Sequence, residues 1–175
     1  MKAKRFLRTL VVLAILSVNI GCDQVSKNIA RQSINDNERI SVIDGYLMLT
    51  KVENTGAFLS VGHDLPAPLK LLFLTILPLV VLGAALIYLL AKNGLPNLTM
   101  VGICFAVGGG LGNIYDRLIY GSVTDFLHID FVLFQTGIFN MADVSIMIGM
   151  FVILFDSYGR RTTLIHQTVD KQVDN

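Results

Sequence analysis

The sequence predicts an all-α integral membrane protein, four transmembrane helices with a small β-cradle on the extracytoplasmic side. Three observations carry this. Of 175 residues, 53% are hydrophobic and only 15% charged, less charge than a soluble domain carries. Apolar stretches long enough to enter a bilayer recur four times along the chain. Finally, carboxylates stand where hydrocarbon is expected: Asp125 in the polar link between the last two stretches, and Asp143 inside the last one. An ionisable side chain at membrane depth costs at least ~2.5–3.5 kcal/mol on insertion scales, so its first reading is functional.

The first element follows four cationic side chains, Lys2, Lys4, Arg5 and Arg8, and spans residues 6 to 22. Gly21-Cys22 imitates a lipoprotein cleavage site, but Asn19 is a poor residue three positions before the cysteine, and three more spans follow. The segment therefore reads as a helix that stays attached. It runs on through Asp23 and Lys27, which lie four apart on one face with the acid first, the favourable order. Two readings of that pair stand side by side: a surface ion pair at the helix exit, and support of a functional site.

Residues 31 to 68 are polar enough to lie outside the membrane. Arg39 to Ile43, then Asp44-Gly45, then Tyr46 to Val52 reads as a β-hairpin. So small a strand pair needs support from the membrane surface or the helix ends. Asn54-Thr55-Gly56-Ala57-Phe58 after it reads locally as a turn with one buried Phe.

The second span is Leu69 to Ala91, with Pro78 expected to kink it. Leu98 to Tyr115 is the third, and Gly102, Gly108, Gly109, Gly110 and Gly112 let another backbone approach closely. Those glycines are not a nucleotide loop, because Asn113 takes the last glycine place of G-x-G-x-x-G and no strand precedes them. Ile138 to Phe155 is the fourth. A single domain covers 1–175, with 161–175 a flexible cytoplasmic tail. The basic flanks put both termini in the cytoplasm and residues 116 to 137 outside, so Asp125 and Asp143 face outward.

Cys22 and Cys104 lie at different membrane depths, beyond disulfide reach. A formal net charge of +1 leaves no basic stripe for nucleic acid. Metal binding competes through His128 and Asp130 beside the acids, but neither His63, His166 nor the cysteines have ligand spacing. Leu127 to Phe131 reads instead as a short strand with its polar residues turned to water. Ser122 and Ser145 have no evident base.

Asn113, Asp116 and Arg117 share one face of a helix end, where Asp116 and Arg117 read locally as an interfacial ion pair. Asn140 reads as a helix N-cap with Asp143 three residues on, satisfying amides and the helix dipole. A cap accounts for one acid but not for its convergence with Asp125. Two convergent carboxylates suggest acid–base chemistry. A small proton-coupled transporter or channel subunit is the alternative, since buried acids also relay protons. Neither internal repeats nor paired broken helices support it.

Taken in order, Asp23-Gln-Val-Ser-Lys27, Asn54-Thr-Gly-Ala-Phe58, Gly109-Gly-Leu-Gly-Asn113 with Asp116-Arg117, Val123-Thr-Asp-Phe126 and Phe139-Asn-Met-Ala-Asp143 resemble the motifs of lipoprotein signal peptidases (signal peptidase II). The resemblance covers nearly the whole chain. One departure is slight: many members have a second Ala before the Phe of the Asn54 motif. The resemblance implies four transmembrane helices with the β-cradle formed by the first outer loop. It implies an aspartic endopeptidase of the bacterial inner membrane, cleaving prolipoproteins just before the diacylglyceryl-modified cysteine. Asp125 and Asp143 match the catalytic pair; Asn54, Asn113, Arg117 and Asn140 match residues lining the site. Asp23, Lys27 and Asp116 stand as supporting residues. Membrane lipids are the other partner, and neither a cofactor nor a metal is implied.

Overall fold

The structure is a computed structural model and describes residues 2–36, 38–57, 62, 64–92, 94–131 and 134–173, with 162–173 as helical backbone. Among them are four helices long and apolar enough to cross a membrane, Lys2–Ser33, Ala67–Ala91, Asn97–Tyr120 and Met141–Arg161. Their bare apolar surfaces (Val80, Val81, Ile87, Phe151 and Phe155 among them) suit hydrocarbon rather than water.

The first helix, α1 (Lys2–Ser33), runs well past the apolar stretch. Its N-terminal half enters a core of Val12, Leu16, Leu89, Met100, Cys104 and Val107. Near its C-terminal end Ala30, with Ile34 just beyond it, packs with Phe126 against Ile40, Leu49 and Leu127. The helix end thus supplies the support that the small sheet needs.

The hairpin is β1 (Ile40–Ile43) and β2 (Leu47–Asn54) around a turn with Gly45 at φ 75°. Tyr46 belongs to that turn rather than to the strand, and β2 runs two residues beyond Val52. The sheet is not built from the first outer loop alone. β3 (Val123–Phe131) and β4 (Phe134–Gln135) come from the second loop and complete a four-stranded antiparallel sheet in the order β1-β2-β3-β4. Asp125 therefore sits on a strand, paired with Val52, and not in a loop. His128 and Asp130 lie on the same strand, longer than the sequence suggests. The expected buried Phe58 falls outside the described residues, as does His63.

The second span begins as α2 (Ala67–Lys70), passes through a π-helical stretch (Leu71–Ile76) and continues as α3 (Leu77–Ala91). The wide stretch lies immediately before Pro78, whose missing N–H leaves a carbonyl one turn back without its usual donor. The helix thus changes register just ahead of Pro78.

α4 (Asn97–Tyr120) continues five residues past the predicted end and stops at Gly121, at φ 75° in the left-handed region that favours glycine. Asp116 and Arg117 are hence helical residues, not part of an outer loop. Its glycines do what their spacing predicts. At Gly102 a Cβ would meet Gly149 O at 2.8 Å, and at Gly149 it would meet Gly102 O at 2.5 Å. Gly109 presses as closely on the Ala142 carbonyl, and Gly108 and Gly112 lie against Asn19 and Asp23 of α1. α5 (Met141–Val173) pairs with α4 along this seam and stays helical through most of the segment expected as a tail. Cys22 is exposed, Cys104 buried, and both are free thiols.

Candidate active site

β3 and the start of α5 are stitched together by backbone. Phe139 N donates to Leu127 O at 2.9 Å, and Phe139 O accepts from Leu127 N at 2.8 Å and Phe126 N at 3.0 Å. The next residue, Asn140, is consequently held against Asp125. Its Nδ2 donates to Asp125 Oδ1 at 2.6 Å and to Asn113 Oδ1 at 3.2 Å.

Asn140 and Asp143 also form a capping box. Asp143 N donates to Asn140 Oδ1 at 3.0 Å, and Asn140 N donates to Asp143 Oδ2 at 3.1 Å. The N-cap expectation therefore holds, and it coexists with convergence on Asp125. One asparagine touches both acids, with its amide on one and its backbone N–H on the other.

The remaining donors come from β2 and α4. Asn54 Nδ2 donates to Asp125 Oδ2 at 2.9 Å and to Ala57 O at 3.0 Å, while its Oδ1 accepts from Gly56 N at 2.9 Å. That local turn ends β2 with the amide aimed at the acid. Asn113 Nδ2 donates to Asp143 Oδ1 at 2.9 Å. Arg117 Nη2 donates to Gly56 O at 2.9 Å, holding the same turn from α4. Asn54, Asn113, Arg117, Asp125, Asn140 and Asp143 all line one cavity of about 40 Å³, room enough for a water molecule. Burial, more than any other influence, pushes the Asp125 carboxyl up from 3.8 to about 6. The Asp143 charge pushes the same way, while the Asn54 and Asn140 amides and the Lys27 ammonium oppose it.

Beneath the cavity lies a buried ionic cluster. Lys27 is 0% exposed, which removes the surface-pair reading of Asp23 and Lys27. Its Nζ sits 2.9 Å from Asp23 Oδ2, 3.1 Å from Asp116 Oδ2 and 2.8 Å from Asn113 Oδ1. Asp116 also pairs with Arg31, at 3.0 Å. The expected Asp116–Arg117 ion pair does not form. Consecutive helix residues project in different directions, so the two cannot face each other, and Asp116 turns to α1 while Arg117 turns to the Asn54 turn. Asp23 Oδ1 accepts from Ala142 N at 2.9 Å, so an acid on α1 satisfies a first-turn amide of α5.

Sequence reasoning missed Arg31, Gln24 and Thr124. Arg31 Nε donates to Thr124 Oγ1 at 2.8 Å and its guanidinium lies 4.0 Å from the Tyr120 ring. Gln24 Nε2 donates to Asp116 Oδ1 at 3.1 Å and to Gly112 O at 3.2 Å. A signal for Arg31 was present, because Asp23, Lys27 and Arg31 recur every four residues on one helix face. Among the described residues, no three His, Cys, Asp or Glu side chains converge as metal ligands.

Residues 15–159 match the family model described as "Signal peptidase (SPase) II". A lipoprotein signal peptidase of Enterococcus faecalis is 36% identical over 148 residues, covering 83% of this chain and 87% of the relative. One from Streptococcus pneumoniae is 37% identical, with 82% and 90% covered, and one from Staphylococcus aureus 32% identical, with 88% and 90% covered. A solved bacterial membrane enzyme superposes with a TM-score of 0.78 at 26% identity, over 87% of this chain and 90% of that one.

Proposed function

The chain belongs to the signal peptidase II family, and from that premise we propose that it is an aspartic endopeptidase acting on diacylglyceryl-modified prolipoproteins, with Asp125 and Asp143 as its catalytic pair. The observation that carries the aspartic reading is the pair itself: two carboxylates joined through one asparagine in a water-sized cavity. The transporter alternative finds no support among the relatives.

Two neighbouring carboxylates do not both ionise cheaply, so the reactive form of the pair is the one that holds a single proton. The ionised member takes a proton from water as its oxygen adds to the scissile carbonyl carbon. The protonated member gives its proton to the carbonyl oxygen. As the tetrahedral adduct collapses, its C–N bond breaks, the leaving amine takes a proton, and the carboxyl-ended signal peptide is freed. Asn54, Asn113 and Asn140 fix the carboxylates by the hydrogen bonds described above; Arg117 fixes the turn that carries Asn54. The substrate's signal segment lies among the helices while its acyl chains stay in the bilayer. The cavity faces the outer side of the inner membrane and both termini face the cytoplasm, in line with the cationic flank at Lys2, Lys4, Arg5 and Arg8.

The test is purified protein with a diacylglyceryl-modified prolipoprotein, followed by mass. The modified precursor should shorten and the unmodified one should not. Asp125→Asn and Asp143→Asn should each lose at least ~10³-fold in rate, and the double variant should be hardly worse than either, since members of a catalytic unit are non-additive. Near-normal cleavage by a well-folded single variant would remove the pair.

A further inference from the structure

A second and much larger concavity opens onto Asp125. It has a volume of about 620 Å³ and shares Asn54, Asp125 and Ile138 with the small cavity. Met48, Thr50, Lys51, Val52 and Asn54 of β2 form the floor, and the shift of register between Leu49 and Val52 lets consecutive residues face it. His128 enters from β3, and the run 135–138 forms a wall. Among the described residues Asp125 is the only acid lining the groove, whereas Arg39 and Lys51 are cationic.

The two cations are not equivalent. Lys51 is paired with Asp36 at 2.9 Å. Arg39 is exposed and has no ion-pair or hydrogen-bond partner among the described residues. Its neighbour Glu38 is turned to Asn35, whose N and Nδ2 both donate to it at 2.9 Å. Arg39 precedes Ile40, which pairs with Leu49 in the antiparallel ladder, so it flanks Thr50. Thr50 is four residues from Asn54, roughly 13 Å at ~3.3 Å per strand residue. An extended chain covers that distance in about four residues.

We infer that this groove takes the residues that follow the modified cysteine, as extended chain, and that Arg39 selects acidic over basic side chains about three to five residues beyond the cleaved bond. The inference rests on the peptidase reading above. The apolar signal segment belongs to the hydrocarbon, so the polar chain on the other side of the bond leaves over the sheet. The groove's wall is continuous with the catalytic cavity, and its mixed lining of Met48, Val52, Thr50 and Thr136 suits a polypeptide rather than an acyl chain.

The experiment compares lipidated prolipoproteins that differ only at the third to fifth positions after the bond, Asp, Ser or Lys, in vesicles of neutral lipid. Wild type should show a kcat/KM ratio of acidic to basic substrate of about 3- to 10-fold, weakening with salt. Arg39→Ala should bring the ratio close to one and Arg39→Glu should invert it. A wild-type ratio within about twofold of one overturns the inference, as does a ratio unmoved by Arg39→Glu. So does a rate that follows added anionic lipid and ignores substrate sequence, which would mark a headgroup site. Cleavage without discrimination leaves the peptidase reading intact; no cleavage of any lipidated precursor overturns both.

Discussion

Asp125 and Asp143 share a cavity but are held by different means. Asp125 projects from a strand, 4% exposed, with two side-chain amides on it. Asp143 caps its own helix and is partly open. For Asp125, moving from 3.8 in the unfolded chain to about 6 in the folded one corresponds to about 3 kcal/mol. The sign follows from proton counting. Between these values the folded state binds more protons, so stability falls as pH rises from about 4 to about 6, and the deficit is complete above that window. Asp125→Asn should thus stabilise the protein by up to about 3 kcal/mol at pH 8, and the gain should vanish as pH falls to 4. Thermal melts in detergent across this range check it; a gain independent of pH would count against the burial argument. The buried Lys27 is the opposite case. Lys27→Met leaves Asp23 and Asp116 buried with Arg31 as their remaining cation, and should destabilise by about 3–5 kcal/mol, readable in the same melts. The spacing of Asp23, Lys27 and Arg31 was visible in the sequence. Their partner was not, because Asp116 is distant in the chain and seemed committed to its neighbour Arg117.

At the scale of elements, the start of α5 combines a cap, a bridge between acids and a seam against α4. Asn140→Ala removes the first two at once. Loss of the cap should cost about 1 kcal/mol of stability, while cleavage should fall by at least ~10²-fold, because Asp125 and Asn113 both lose a donor. Asn140→Ser keeps a cap without adding a buried charge and should recover stability but not rate. Comparing melting temperature with turnover for the two variants separates the roles, and parallel losses in both would show a merely structural residue. Apolar runs made all four spans legible, and β-branched and turn residues the hairpin. Element lengths were not legible in this way. α1 and α4 run past their apolar stretches because their outer ends pack on the sheet and on each other, where polar residues are satisfied by neighbours instead of water. Of β3 only the stretch 127 to 131 was legible as a strand, because Asp125 looks like a loop residue until β2 is placed beside it.

For the whole molecule, the orientation rests on cationic flanks and is open to a direct test. With the first and last helix connections outward, Asp36→Cys and Gln135→Cys, both exposed, should react with an impermeant thiol reagent in cells whose outer membrane alone is opened. Reaction only after inner-membrane lysis would invert the topology. Six residues of the site were readable from ordered motifs and do line one cavity. The groove on the sheet was not readable, since its walls come from two loops far apart in sequence. The glycine seam has a mechanical consequence. Asn113 and Arg117 ride on α4 and Asp143 on α5, and at Gly102, Gly109 and Gly149 the two helices touch backbone to backbone. Jaws bolted together so closely cannot gape to admit a bulky lipidated chain.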